Sequence, residues 1–372
     1  MSEWKRCTLG DVITFQRGFD ITQNGQTQGK IPVVSSSGIR SYNGVAAACG
    51  PGVVIGRKGT LGSVFYLPDD YWPHDTTLGV KDFKGNSPKF IYYYLHQFQF
   101  ENYDVGSSNP TLNRNHIHTL QCAVPPLPEQ RAIADVLSSL DDKIDLLRCQ
   151  NKTLEAMAEA LFRQWFIEEA DEGWDEGSLL DLIDLIGGGT PKTEKNEYWD
   201  GNIPWLSGGD ISANHRSIVL NSGKTISEEG INNSAAKILP QYATVITARG
   251  TVGKYCLLGT PMTFSQSNYG VLPKDKKSYF FAYLLINNTV EELQASAYGS
   301  VFDTITTSVF RGKKVPLPSW NEIDRFNSGV SRYFQKMISN VQQMNSLTSL
   351  RDTLLPKLMS GEVRVDMRAN HA

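Results

Sequence analysis

Two stretches of this 372-residue chain repeat one another in the same order, and a duplicated chain folds into two similar bodies. The segment "WKRCTLGDVI" from Trp4 matches "WDEGSLLDLI" from Trp174 at an offset of 170, and "GKIPVVSSSGI" from Gly29 matches "GNIPWLSGGDI" from Gly201 at 172. "VVIGRKGTLG" from Val53 then matches "TVITARGTVG" from Thr244 at 191. Last, "VPPLPEQ", ending at Gln130, resembles "VPLPSWNE", ending at Glu322. Four matches in preserved order are hard to obtain from common turn motifs. The growing offset places an insertion in the second copy between residues 211 and 244.

Within each copy, β-branched residues, aromatics and glycine turns dominate. "GVVIGRKGTLGSVFYL" and "ATVITARGTVGKYCLL" each read as two short strands around a glycine-containing turn. Each copy also holds one shorter helix, near 87–98 and near 279–296. The expected fold class is therefore mixed α/β (α+β): two similar globules, each followed by a long helix.

The helical stretch from Ile133 carries apolar residues at alternating spacings of four and three: Ile133, Leu137, Leu140, Ile144, Leu147, then Asn151, then Leu154, Ala158, Leu161 and Trp165. That is the heptad of a coiled coil. Carrying the seam over by 193 residues gives Phe326, Val330, Tyr333, Met337, Asn340, Met344, Leu347, Arg351, Leu354 and Leu358. Pro128 suits a first helical turn, and Ser319 with Glu322 forms a capping-box pattern. Pro356 should kink or end the last turn, and Gly361 stops it. An amphipathic helix lying on its own globule is the simpler reading, but ten positions at strict spacing favour a helix pair. The first seam spans about 48 Å at ~1.5 Å per residue. If the helices pair antiparallel, facing positions sum to 491, and Asn151 meets Asn340 while Arg351 falls opposite Leu140, beside Asp141. Such an asparagine pair sets register at a cost in stability. The alternative is that Asn151 faces solvent.

Net charge is −3, which at first argues against a nucleic-acid partner. The acid is segregated, however: residues 129–178 hold five Lys and Arg against thirteen Asp and Glu, and the other segments are each mildly basic. The globules can therefore approach a phosphate backbone, whereas the acidic first helix, with Asp141, Asp142, Asp145, Glu155 and Glu159, suits a protein partner or solvent. Five cysteines lie scattered without a CxxC pair, the amino terminus has no apolar signal-like run, and no stretch approaches a membrane span. A cytoplasmic protein is expected.

Motifs for catalysis are weak. "LIGGGTPKT" lacks the spacing of a phosphate-binding P-loop, Asn109-Pro110 is most simply a turn, and His116 with His118 has no ligand cluster to complete a metal site. The recurring feature is instead a set of loops mixing small polar groups with Arg, Lys, Asn and Tyr. In the first copy the candidates for DNA contact are Ser36, Ser37, Arg40, Tyr42, Asn43, Arg57, Lys58, Ser108, Asn109 and Asn113. In the second they are Ser207, Asp210, Asn214, Arg216, Arg249, Lys254, Gln266 and Asn268. Arg and Lys suit guanine edges or phosphates, and Asn and Gln suit adenine. The helix-pairing candidates are Leu140, Ile144, Leu147, Asn151 and Leu154 with Met337, Asn340, Met344, Leu347 and Arg351.

At this point the chain resembles the specificity subunits of type I restriction-modification systems. The resemblance rests on "GGTPKTEKNEYWDGNIPWLSGGDIS", "LPQYATVITARGTVGK", "VPLPSWNE", "PPLPEQRAIADVLSSLDDKID" and the closing "LLPKLMSGEVRV", and it covers nearly the whole chain. It implies two target-recognition domains, residues 1–128 and 168–318, each followed by a spacer helix, 129–167 and 319–361, with a tail at 362–372. The domains would read the two halves of a bipartite double-stranded DNA target, and the antiparallel helices would set the gap and dock two methyltransferase (modification) subunits, with restriction subunits completing an endonuclease. The chain itself would be non-catalytic and hold no cofactor; S-adenosylmethionine, ATP and Mg would sit on partner subunits. The second copy departs from the family in having "SWNE" where "PEQ" is common. Two other classes compete with this reading: a protein-protein adaptor, and a stand-alone DNA methyltransferase or nuclease.

Overall fold

The computed structural model describes residues 4–104, 110–297 and 304–365. The chain divides into two compact units, Met1–Lys143 with Leu347–Ala372, and Ile144–Ser346. Each long helix is continuous through its sequence range, Leu127–Arg163 and Trp320–Ser360, so each contributes to both units.

The first unit contains a four-stranded sheet in the order Thr14–Arg17, Thr77–Asp82, Gly52–Gly56, Val64–Leu67 and a three-stranded sheet in which Ile31–Ser35 lies between Gly38–Asn43 and Trp72–Pro73. The second unit repeats both: Ile183–Gly187, Asn268–Pro273, Thr244–Thr247, Tyr255–Leu258, and then Trp199–Leu206 between Lys224–Ile226 and Thr263–Phe264. The insertion adds one strand, Ile218–Val219, which extends the larger sheet by pairing parallel to Tyr255–Leu258. A short antiparallel pair ties the start of each globule to its end, Lys5–Thr8 with Gln121–Val124 and Glu176–Ser178 with Lys314–Pro316.

The duplication extends to single hydrogen bonds. In the first hairpin the Gly56 amide donates to Ser63 O (2.8 Å) and the Gly62 amide to Gly56 O (3.1 Å); in the second, Thr247 N donates to Lys254 O (2.7 Å) and Gly253 N to Thr247 O (2.9 Å). The turn needs left-handed backbone twice, and glycine supplies it in both copies: Gly59 and Gly62 have φ of 77° and 72°, Gly250 and Gly253 have 78° and 78°. These glycines are why the motif "GT.G" survives in both halves.

The helix seam is apolar and antiparallel within each unit. In the second unit Trp165 packs on Phe326 with ring centroids 5.7 Å apart, and Asn340 Nδ2 donates to Asn151 Oδ1 at 2.7 Å. Both pairs have the same position sum. Asn340 has no exposed surface; its Nδ2 also donates to Gln150 Oε1 (2.8 Å), and Asn151 Nδ2 donates to Met337 O (3.2 Å). In the first unit Arg351 Nη1 donates to Asp141 Oδ1 at 2.8 Å, and this pairing raises the guanidinium's proton affinity further. Leu147 and Met337 are buried, and Leu154 and Met344 half-buried, in the second unit; Leu140 and Leu347 are half-buried in the first, and Ile144 is buried.

The helices do more than pair. Ile323, Phe334 and Ile338 lie off the seam and are buried in the core of the second globule, where Phe334 stacks on Phe280 at 4.6 Å and 6°. The apolar face is thus wider than a coiled-coil seam because one side holds the partner helix and the other holds a globule. The second helix runs through Pro356 to Ser360, where buried Leu358 and Met359 anchor the final turn, and Gly361, at φ 74°, follows at the expected stop. One expectation is corrected. Asp141, Glu155 and Glu159 are not left for solvent or a partner: Tyr93 donates to Asp141 (2.6 Å), Tyr283 to Glu155 (3.0 Å) and Asn287 to Glu159 (2.7 Å), each fastening a globule's short helix to the long one.

The start of each long helix is built differently. Gln130 is buried and accepts from Ser87 N (3.0 Å) while donating to Asn86 Oδ1 (2.7 Å) and Pro125 O (2.9 Å); Glu129 accepts from Trp4 Nε1 (3.3 Å). Where "SWNE" replaces "PEQ", the Ser319–Glu322 capping box closes the helix, and Asn327 accepts from Phe280 N (3.0 Å) and Phe281 N (3.2 Å). The amide that ties globule to helix has moved one turn along.

Asn151→Ala should cost about 1–3 kcal/mol of stability, because it takes one of two acceptors from a fully buried amide, whereas Asn151→Leu with Asn340→Leu should recover most of that loss. Urea unfolding of the three chains checks this; equal losses in the single and double variants would mean that the amide pair does not hold the seam. A disulfide between cysteines placed at 151 and 340 should form on oxidation.

Candidate functional site

The turn hairpins and the loops beside them carry part of the candidate set on each globule. On the first, Ser37, Arg40 and Tyr42 are exposed on and before the strand Gly38–Asn43, and Arg57 and Lys58 follow the strand Gly52–Gly56 at half burial. Lys58 bridges to Thr111, which brings the loop before Asn113 alongside the hairpin turn. Ser108 and Asn109 lie outside the described residues. On the second globule, Arg249 and Gln266 are exposed and Lys254 is half-buried. Ala248 N donates to Ser267 O (3.0 Å), so the loops bearing Arg249 and Gln266 lie side by side.

Several candidates serve the fold instead. Asn43 is buried; its Oδ1 accepts from Thr27 N (2.8 Å) and its Nδ2 donates to Val45 O (2.9 Å), which spends the amide inside the hairpin. Asn268 is 1% exposed and donates to Ser265 Oγ (2.7 Å), out of reach of a base edge. Ser36 is buried, with its carbonyl accepting from Ser63 Oγ. Ser207 and Asp210 form the capping box of the helix Gly208–Ala213, Asn214 donates back to Asp210 O (2.9 Å), and Asn113 caps Arg114–His118 through Asn115 N (3.0 Å). Arg216 is turned to the first long helix, where it pairs with Glu159 and lies 4.0 Å from Glu155. Burial pushes the Glu155 carboxyl above its ordinary range, and the Tyr283 hydroxyl opposes that shift. The residue types that suit DNA recognition also suit caps and turns, so a loop's composition does not separate the two uses.

Residues outside the sequence selection join the first site. Arg17 lies 3.2 Å from Asp75 Oδ2, and Arg57 Nη1 donates to the Asp75 carbonyl at 3.2 Å. The signal that could have found Arg17 is its place in the repeat: the residue 170 positions on is Gly187. His116 and His118 do not converge, since His118 Nε2 accepts from Phe15 N at 3.0 Å. Asp20, His74 and Asp75 do bring ligand-type atoms within 4.8 Å of one another, but Asp75 is already engaged by Arg17.

A twice-repeated mixed α/β globule, with exposed cationic and amide side chains on glycine hairpins and two long antiparallel-paired helices, has the build of a DNA-recognition subunit. The sequence matches the family described as "Type I restriction modification DNA specificity domain" over residues 1–156 and again over 171–348, and the chain belongs to that family. It is 25% identical over 307 residues to the type I restriction enzyme MjaIX specificity subunit of Methanocaldococcus jannaschii, covering 76% of this chain and 70% of that one. It is 23% identical over 329 residues to the HindI specificity subunit of Haemophilus influenzae, covering 68% and 71%. The crystal structure of a type I restriction-modification S subunit from M. genitalium shares the fold, with a TM-score of 0.67 at 18% identity over 98% of this chain and 96% of that one. Among the described residues, no helix is long and apolar enough to cross a membrane.

The geometry separates exposed candidates from buried ones. Arg249→Ala, at an exposed position, should leave stability within about 0.5 kcal/mol of the parent, whereas Asn268→Ala should cost about 1–3 kcal/mol. Thermal or urea unfolding checks both; a large loss at Arg249 would assign it to the fold.

Proposed function

We propose that this chain is the DNA-reading, non-catalytic specificity subunit of a type I restriction-modification complex, each globule recognising one half of a bipartite double-stranded target. The observation that carries this is the duplicated glycine hairpin: the same backbone frame presents Arg57 and Lys58 in one copy and Ala248 and Arg249 in the other. A common frame with different side chains is what two half-sites of different sequence require. Arg40, Tyr42, Lys58, Arg249 and Gln266 are the side chains we assign to DNA, with Arg forks suited to guanine or phosphate and Gln to adenine. Lys254 belongs to the same hairpin as Arg249.

The long helices, of 37 and 41 residues, form the spacer between the readers, bounded by the domain limits near 128, 168, 318 and 361. They also supply the docking surface for two methyltransferase subunits: Leu146 and Met157 are apolar and exposed on the first helix, and Asp142 and Asp145 remain on its solvent side. Methylation, ATP hydrolysis and cleavage belong to the modification and restriction subunits, which would bring S-adenosylmethionine, ATP and Mg. A cytoplasmic location fits these partners.

Mapping methylated sites in the host, or with the assembled complex, tests the reading. Arg249→Ala should weaken recognition of one half-site by roughly tenfold while leaving the other unchanged. Removing one heptad from both helices should shorten the unread gap and keep both half-sites; an altered half-site with an unchanged gap would contradict the spacer role. Methyl transfer by the purified chain alone would overturn the non-catalytic assignment.

A further inference from the structure

The two hairpins share a frame but not a charge. Arg57 N donates to Thr76 O (2.8 Å), and its carbonyl accepts from Leu112 N (2.9 Å); Ala248 makes the same bonds to Ser267 O (3.0 Å) and from Ile305 N (3.0 Å). Arg17 pairs across its sheet with Leu78, and its counterpart Gly187 pairs with Tyr269. Arg114 opens the helix Arg114–His118, and its counterpart Thr307 opens Thr307–Gly312. Three arginines of the first globule thus stand where the second has Gly187, Ala248 and Thr307.

Those three arginines line one cleft of about 370 Å³ together with Leu78, Leu112 and Asn113. Asp75 orients two of them, taking Arg17 on its carboxylate and Arg57 on its carbonyl. Among the described residues, no carboxylate pairs with Arg114. The cleft therefore carries more positive than negative charge. Burial chiefly, and then repulsion from the neighbouring Arg17, lower the proton affinity of Arg57, and Asp75 opposes them. A group bearing a full negative charge relieves that repulsion, and the planar donors of three guanidinium groups lining one cleft match phosphate oxygens. A guanine edge offers only partial charge.

We infer that the cleft formed by Arg17, Arg57 and Arg114 binds one backbone phosphate of the first half-site, and that the second globule reads its half-site without such an anchor. This rests on the DNA-reading function proposed above. Orientation of Arg17 and Arg57 by Asp75 reduces the side-chain entropy lost on binding, so the phosphate would place the first globule on the duplex before its other side chains engage bases.

The test uses the complex of the full chain with its methyltransferase subunits and target duplexes carrying a single methylphosphonate at each backbone position in turn. One position, or two neighbouring ones, in the first half-site should lose affinity by roughly tenfold, with no matching position in the second. Arg57→Gln and Arg114→Gln should show that loss on unmodified DNA, no further loss at the sensitive position, and a salt slope shallower by about one. Arg114 is exposed, so its variant keeps the fold even if Arg57→Gln does not. A flat scan across the first half-site, or the same loss produced by 7-deazaguanine instead of methylphosphonate, would overturn the phosphate site. In that case an intact effect of Arg249→Ala would leave the DNA-reading function standing, whereas failure of the parental complex to prefer its target over other DNA would remove that function itself.

Discussion

The Asn151–Asn340 hydrogen bond is a polar contact in a seam that is mostly apolar, and it decides which residues of the two long helices face one another. A heptad seam slides by seven residues with modest loss, because Leu on Leu is much the same at every layer. Two amides do not slide, because each would meet a leucine and lose its partner in a dry environment. Asn340 is fully buried and bonded to both Gln150 and Asn151, so the penalty for slippage is large. The first unit holds a second such constraint in Arg351 and Asp141. Once register is set, the faces that receive each globule are set too, since Phe334 stacks on Phe280 and Tyr283 reaches Glu155 only at one helix rotation.

That dependence gives three carboxylates of the acidic first helix a structural use. The acid of the first helix looks like a solvated face when read residue by residue. In the structure Asp141 receives Tyr93 in one unit and Glu155 receives Tyr283 in the other, each tyrosine standing on the short helix of its globule. The hydroxyls lie under desolvated surface, and burial with the adjoining carboxylate pushes both far above the ordinary tyrosine range. Each hydroxyl therefore stays protonated and donates, acting as a neutral peg between a globule and its helix.

The globules divide their residues between a shared frame and private side chains. The frame consists of the glycine turns, the capping boxes Thr8–Asp11 and Ser178–Asp181, and the matching loop hydrogen bonds. The private side chains stand on that frame: Arg57 against Ala248, Lys58 against Arg249, Arg17 against Gly187. The shared hydrogen bonds of the frame are made by backbone atoms, so the same frame accepts different side chains in the two copies.

The repeat, the strand-turn-strand hairpins, the short helices and the 4,3 seam were all legible in the amino-acid sequence, because periodicity and left-handed glycine turns are local properties that leave a local mark. The facing of Asn151 and Asn340 also follows from the seam by arithmetic. What only the tertiary structure decided was the use of each polar side chain. Asn43 and Asn268 look like base readers in a loop and are buried struts; Arg216 looks like a phosphate ligand and is held by Glu159; Arg17, in a strand, looks like surface and lines a cationic cleft. The reason is physical. An amide or guanidinium has the same donors wherever it sits, and whether they are spent on the fold or offered to a partner depends on neighbours far away in sequence, which no local pattern records.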